Sequence, residues 1–169
     1  MGNEKPRMRR LAWMAYAGTM GMCVVALAVV LLAGSWLRGA DGSDYSPDLK
    51  AFIGSYFTDW SARNVEAYKA HFHEKARIAL VADGAVVQPL DLAPFIAQQT
   101  AAHARAKTPM TERMTSFSAL QDEAAASVAA TWELKTAAGT ETGVDRFTVI
   151  RDAQGKWKIV SLVFYATAK

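Results

Sequence analysis

The stretch Val144–Ala166, VDRFTVIRDAQGKWKIVSLVFYA, constrains this chain more than any other. Two runs rich in β-branched and aromatic residues flank Asp152-Ala153-Gln154-Gly155. Gly155 can take the positive φ that closes a short loop, so the pattern predicts an antiparallel hairpin. The second run is apolar on both faces: Trp157, Ile159, Val163 and Tyr165 on one, Val160, Leu162 and Phe164 on the other. A strand apolar on both sides belongs in the middle of a sheet. Strict alternation then turns the Trp157 set toward the core and the Leu162 set outward.

The preceding residues supply what packs on that sheet. Ser46-Pro47-Asp48 reads as a helix start, with a capping Ser, Pro at the first position and an acid in the first turn. Leu49, Phe52, Ile53, Tyr56, Phe57 and Trp60 follow on one helical face. Asn64 caps a second helix, with Val65, Tyr68 and Phe72 on its buried side. Asp83-Gly84, between the short apolar runs 77–82 and 85–88, is a favoured two-residue hairpin turn. Asp91 opens a third helix to about Ala106, ended by Thr108-Pro109. Four strands follow, near 110–120, 124–136, 143–152 and 156–166. Helices segregated from an antiparallel meander define an α+β domain. A long curved antiparallel sheet can wrap around the N-terminal helices and leave an open mouth, a natural pocket.

Charge divides the chain in two. Residues 1–38 hold five basic side chains against one acidic, whereas residues 39–169 hold 14 basic and 15 acidic. A near-neutral domain lacks the electrostatic footprint of phosphate binding, so no nucleic-acid partner is expected. From Leu11 to Leu37 there are 27 residues without a charge, enough to span a bilayer with some tilt. The predicted organisation is a basic tail over 1–10, a transmembrane helix over 11–37, a linker over 38–45 and a domain over 46–169. The basic flank keeps the N-terminus inside, which places the domain in the periplasm or outside the cell. The run is far longer than the apolar region of a cleaved signal, about 7–15 residues, which favours an uncleaved anchor over the competing cleaved-signal reading. At Leu32-Ala33-Gly34-Ser35, Ser35 stands where a lipidated Cys would be needed. With Cys23 as the single cysteine, intrachain disulfides and cysteine zinc sites are excluded.

From Ser46 to Ala166 the chain resembles the nuclear transport factor 2-like superfamily, in its SnoaL-like branch. The motifs are the aromatic first helix followed by Asn64-Val65-Glu66-Ala67-Tyr68, the run Ala124–Leu134 ending in Thr-Trp-Glu-Leu, and Gly155-Lys156-Trp157-Lys158-Ile159-Val160. The resemblance implies a cone that often dimerises through its outer sheet face, and no single activity.

Tyr68, Phe72, Glu112, Trp132, Arg146, Trp157 and Tyr165 are the candidates for lining the pocket. Glu112 shares a face with Met110 and Met114, and an inward Arg146 would bind an anion or pair with Glu112. Asp145 and Glu133 lie opposite the apolar set assigned inward, so both read as exposed strand charges. Family members often carry His or Asp on the closing strand, where this chain has Ser161, Val163 and Tyr165. No catalytic residue is therefore assigned. His71 and His73 are two apart and cannot share a helix face, so no metal is expected, and no motif calls for a cofactor. His103 falls in the last turn of the third helix, where the dipole favours a cation. Val160, Leu162 and Phe164 are the expected dimer face. The favoured function is a membrane-anchored, non-enzymatic module binding a protein partner or a small apolar ligand. The alternative is a SnoaL-like isomerase or hydrolyase acting on a polyketide- or steroid-like substrate. An ionisable pair converging inside the cone discriminates between them.

Overall fold

The computed structural model describes residues 45–167. The basic tail, the uncharged run 11–37 and the linker up to residue 44 lie outside the described residues. Among the described residues, no helix is long and apolar enough to cross a membrane.

Pro47 and Asp48 begin α1 (Pro47–Ser61), whose face of Leu49, Ile53, Tyr56, Phe57 and Trp60 is buried. Arg63 then takes φ 59°, and the Asn64 side chain accepts from the Ala67 N–H to cap α2 (Val65–Ala70). Phe72 does not extend that helix. It opens β1 (Phe72–Ala82), which turns through Asp83 and Gly84, both at positive φ, into β2 (Ala85–Asp91). Next come α3 (Leu92–Arg105) and the meander β3 (Thr111–Gln121), β4 (Ala125–Thr136), β5 (Gly139–Arg151) and β6 (Trp157–Ala166). β5 starts earlier than the glycines at 139 and 143 suggested, because Thr136 pairs directly with Gly139 across a two-residue turn.

One curved six-stranded sheet results, in the order β2-β1-β6-β5-β4-β3. β6 is interior, as its apolar content requires. Its neighbours are β5, antiparallel, and β1, parallel. The core lies between the helices and the concave face, around Phe57, Leu49, Ile53, Ile78, Ile159, Leu162 and Val149.

Two β-bulges decide what faces that core. On β6, Ile159 pairs with Val149 and Ser161 with Thr148, so Val160 is the extra residue. On β3, Met114 pairs with Trp132 and Ser116 with Thr131, so Thr115 is extra. A bulge reverses the alternation beyond it. In β6, Trp157 and Ile159 face inward before the bulge, and Leu162 and Phe164 after it. This corrects the expected dimer face. Leu162 is 1% exposed and belongs to the core, Phe164 lines the interior, and Val160 sits at the bulge itself. Tyr165, expected inside, is half-buried on the other face with Val163.

Candidate functional site

The concave face and the helices enclose a cavity of about 250 Å³. Its sheet wall is built from three adjacent cross-strand rows. Glu112, Leu134 and Glu141 form the first, Trp132, Gly143 and Ala166 the second, and Ala130, Asp145, Phe164 and Leu80 the third. Tyr56 and Trp60 from α1, Tyr68 from α2, and Phe95 and Gln99 from α3 close the opposite side. Trp60 Nε1 donates to Gln99 Oε1 at 2.9 Å, which ties α1 to α3 along that wall.

Gly143 makes the central row possible. A Cβ there would overlap the Trp132 indole and the Tyr165 carbonyl oxygen. Without it the indole lies flat across β5, and Trp132 Nε1 donates to Asp145 Oδ1 at 2.7 Å. The Tyr56 hydroxyl accepts from Tyr68 Oη at 3.0 Å and, near Asp145, helps favour its ionised form. Asp145 therefore meets polar hydrogens while occupying a core position, 3% exposed. Glu112 is fixed by its backbone: its N–H donates to Ser61 Oγ at 2.7 Å, and Ser61 Oγ donates to its carbonyl oxygen at 2.8 Å. The end of α1 is thereby clamped to the start of β3.

Burial raises both carboxyls. Glu112 rises to about 8, with the charge of Asp145 adding to the effect. Asp145 rises to about 7, held back by Trp132 and Tyr56. Those groups stabilise the ionised form, so Asp145 keeps the charge. No side chain among the described residues donates to Glu112, which therefore keeps the proton. Burial also pushes Tyr56 and Tyr68 well above the usual phenol range, so both remain donors. A buried anion, a neutral acid and a hydroxyl relay in one apolar cavity are the components of general acid–base catalysis.

Residues 46–165 match a family described as "Putative lumazine-binding". The chain belongs to that family. No curated protein matches it. The fold is that of NTF2-like and SnoaL-like proteins. An NTF2-like protein of unknown function from Pseudomonas putida superposes with a TM-score of 0.62 at 10% identity, over 72% of this chain and 85% of that one. ActVI-ORFA of Streptomyces coelicolor gives 0.58 at 13% identity, over 70% and 95%. Bd1075 of Bdellovibrio bacteriovorus gives 0.59 at 12% identity, over 71% of this chain but only 41% of its own length.

Set on this family's fold, the residues singled out from sequence separate. Tyr68, Glu112 and Trp132 line the cavity. Phe72 does not; it is core, with its ring 5.6 Å from Tyr68 and 5.8 Å from Phe95. Trp157 is buried away from the cavity, where Arg151 stacks on it at 4.1 Å and its Nε1 donates to Asp48. Tyr165 and Arg146 are on the outer face, Arg146 exposed, so neither meets a ligand inside. Asp145 is the correction that matters most. It shares a face with Phe147 and Val149 rather than standing outside, because the inward set of β5 is 143, 145, 147 and 149. Val144 and Ile150 are equally apolar and made the opposite phase equally consistent. What decides the phase is the pairing of Gly143, a residue without a side chain, opposite Trp132, which only the fold reveals. Glu133 does face outward, paired with Arg113 at 3.1 Å.

None of the histidines joins the cavity. His71 Nε2 contacts Asp59 Oδ2 at 2.9 Å, and His73 Nδ1 accepts from the Lys75 N–H. His103 is buried 4.4 Å from the Trp60 ring, and burial followed by the Arg63 charge lowers its pKa. It is a neutral packing residue rather than the helix-end cation expected from its position.

Proposed function

We propose that this domain is a proton-transfer enzyme of the SnoaL-like kind, an isomerase for a small, uncharged, mainly apolar carbonyl compound. The observation that carries this is the carboxyl pair facing one cavity: Asp145, which accepts from Trp132 and so is assigned the charge, and Glu112, to which no described side chain donates and which is assigned the proton. Asp145 takes a proton from the carbon beside the carbonyl. The C–H electrons form the new C=C bond, and the carbonyl oxygen takes the proton of Glu112. The product is an enol, and the charge of the cavity is the same before and after. Return of the Asp145 proton to a different carbon, with return of the hydroxyl proton to Glu112, completes an isomerisation. General acid–base catalysis of this kind contributes about 10²–10⁴ in rate.

A second reading, binding without turnover, is supported by the family's description. A lumazine-type ring presents N–H beside C=O, which suits Asp145 as acceptor and Glu112 as donor. The proposal also includes the tether. Residues 11–37 act as an uncleaved anchor with the domain outside the cytoplasm, supported by an uncharged run behind a basic tail. Self-association through the outer sheet face stays part of it, with Val163 and Tyr165 in place of Leu162 and Phe164.

The test uses the full chain in a non-ionic detergent with a β,γ-unsaturated cyclic ketone, followed by absorbance of the conjugated product and by deuterium uptake in D₂O. Turnover that drops by about a hundredfold or more in Asp145→Asn is the expected result. Saturable binding with no turnover would select the second reading.

A further inference from the structure

None of the described residues lining the cavity is Lys, Arg or His. Its acidic groups are Asp145 in the depth, Glu112 beside it and Glu141 at the rim, so any charge the cavity carries is negative. An aromatic wall runs from Tyr68 and Phe95 on the helix side to Phe164, which stands beside Asp145 in the sheet. The Tyr68 and Phe95 rings lie 6.3 Å apart, and Phe95 and Phe164 6.2 Å. An anion entering such a cavity would lose its hydration and meet repulsion alone. A cation finds both contributions that compensate for desolvation: a buried carboxylate, and ring faces carrying negative potential.

We propose that this cavity takes a small organic cation, an alkylammonium head, with its charge against Asp145 and Glu112 and its alkyl groups on the Tyr68–Phe95–Phe164 wall. Alkylammonium fits better than a metal ion. The apolar walls offer no set of oxygens to replace a full hydration shell, whereas alkyl groups bury well against rings. This ligand class rests on the charge and shape of the cavity and holds whether or not the site turns over a ketone.

Proton linkage follows. Without a cation, the two carboxyls share one proton, because both charges cannot be held in an apolar site. A bound cation favours the doubly ionised pair, so binding near neutral pH releases a proton from Glu112. Tyr56 and Tyr68 stay protonated throughout.

The experiment is calorimetric titration of the full chain in non-ionic detergent with choline chloride, its uncharged carbon analogue 3,3-dimethylbutan-1-ol, and sodium acetate. Each is run in two buffers of different ionisation enthalpy. Choline should bind at least about tenfold more tightly than the alcohol. Its heat should change with buffer in proportion to a released proton, and acetate should not bind. Asp145→Asn should bring choline down to the level of the alcohol. Should that variant unfold, Glu112→Gln carries the test: it should weaken choline binding at pH 9, where the second carboxylate is lost, and abolish the proton release near neutral pH. Equal affinity for choline and the alcohol, or choline binding indifferent to both substitutions, overturns the inference. So does failure of choline to bind a chain that still isomerises a ketone, and in that case the isomerase reading survives.

Discussion

Asp145 and Glu112 carry the proposed chemistry of this molecule, and their burial makes its stability depend on pH. Each is protonated more readily when folded than when unfolded. As pH rises from about 4 toward 8, the unfolded chain has already released these protons while the folded chain holds them. Folding stability contributed by protonation is therefore full below the unfolded values and is lost as pH passes through about 7 and about 8. Glu112→Gln removes one of the two charges without removing volume. It should raise the melting temperature at pH 9 by at least about 4 °C, and change it little at pH 4.5, as read by circular dichroism. A variant equally or less stable than wild type at pH 9 would show that Glu112 is not a buried acid. The same titrations would bound the proposed activity. Asp145 must be ionised and Glu112 protonated, which gives a rate maximum between the two values and a fall on each side.

At the scale of elements, the bulge at Val160 controls the interior. Before it β6 turns Trp157 and Ile159 to the core; after it, Leu162 and Phe164. Leu162→Ala should therefore cost about 2–5 kcal/mol, as for a buried leucine. Val163→Ala, half-buried on the outer face, should cost less than about 1.5 kcal/mol, as for a modest change outside a packed core. Chemical denaturation of both variants separates the two phases of the strand. A larger cost at Val163 would restore the strict alternation expected from sequence. The bulge at Thr115 has the same effect on β3. It allows Glu112 and Met114 to share the inner face with Phe117 and Ala119. Thr115 Oγ1 and Ser116 Oγ, each 2.7 Å from Thr131 Oγ1, tie the displaced backbone to β4.

Across the whole molecule, the described chain begins at the end away from the cavity mouth. The Ser46 N–H and hydroxyl both reach Gln121 Oε1 at 2.8 Å, at the last residue of β3. Leu80, Leu134, Glu141 and Ala166, at the other strand ends, rim the cavity. With residues 11–37 in a membrane as proposed, the domain is attached at the end opposite the cavity mouth, and the proposal has a ligand enter from water. In intact cells or spheroplasts, a membrane-impermeant thiol reagent should label Glu141→Cys in a Cys23→Ser background, and choline should protect it. Labelling only after lysis would mean that the domain is cytoplasmic and that the tether has been read in the wrong direction.

What the sequence determined by itself is what depends on neighbours along the chain. The α1 face, the Asn64 cap, the Asp83-Gly84 turn and the closing hairpin follow from helix periodicity, capping and positive φ. The inward Glu112 was legible too, because Met114 shares its phase on the same side of the bulge. Which face of β5 and β6 is the inner one was not legible. In Val144–Ile150 both phases carry apolar residues, and one inserted residue at Val160 reverses everything after it without altering composition. That choice is made by pairing with distant strands: Asp145 opposite Ala130 and Phe164, Gly143 opposite Trp132. Only the tertiary structure could bring Asp145 inside beside Glu112, because the face of a strand residue is a property of its register and not of its own segment.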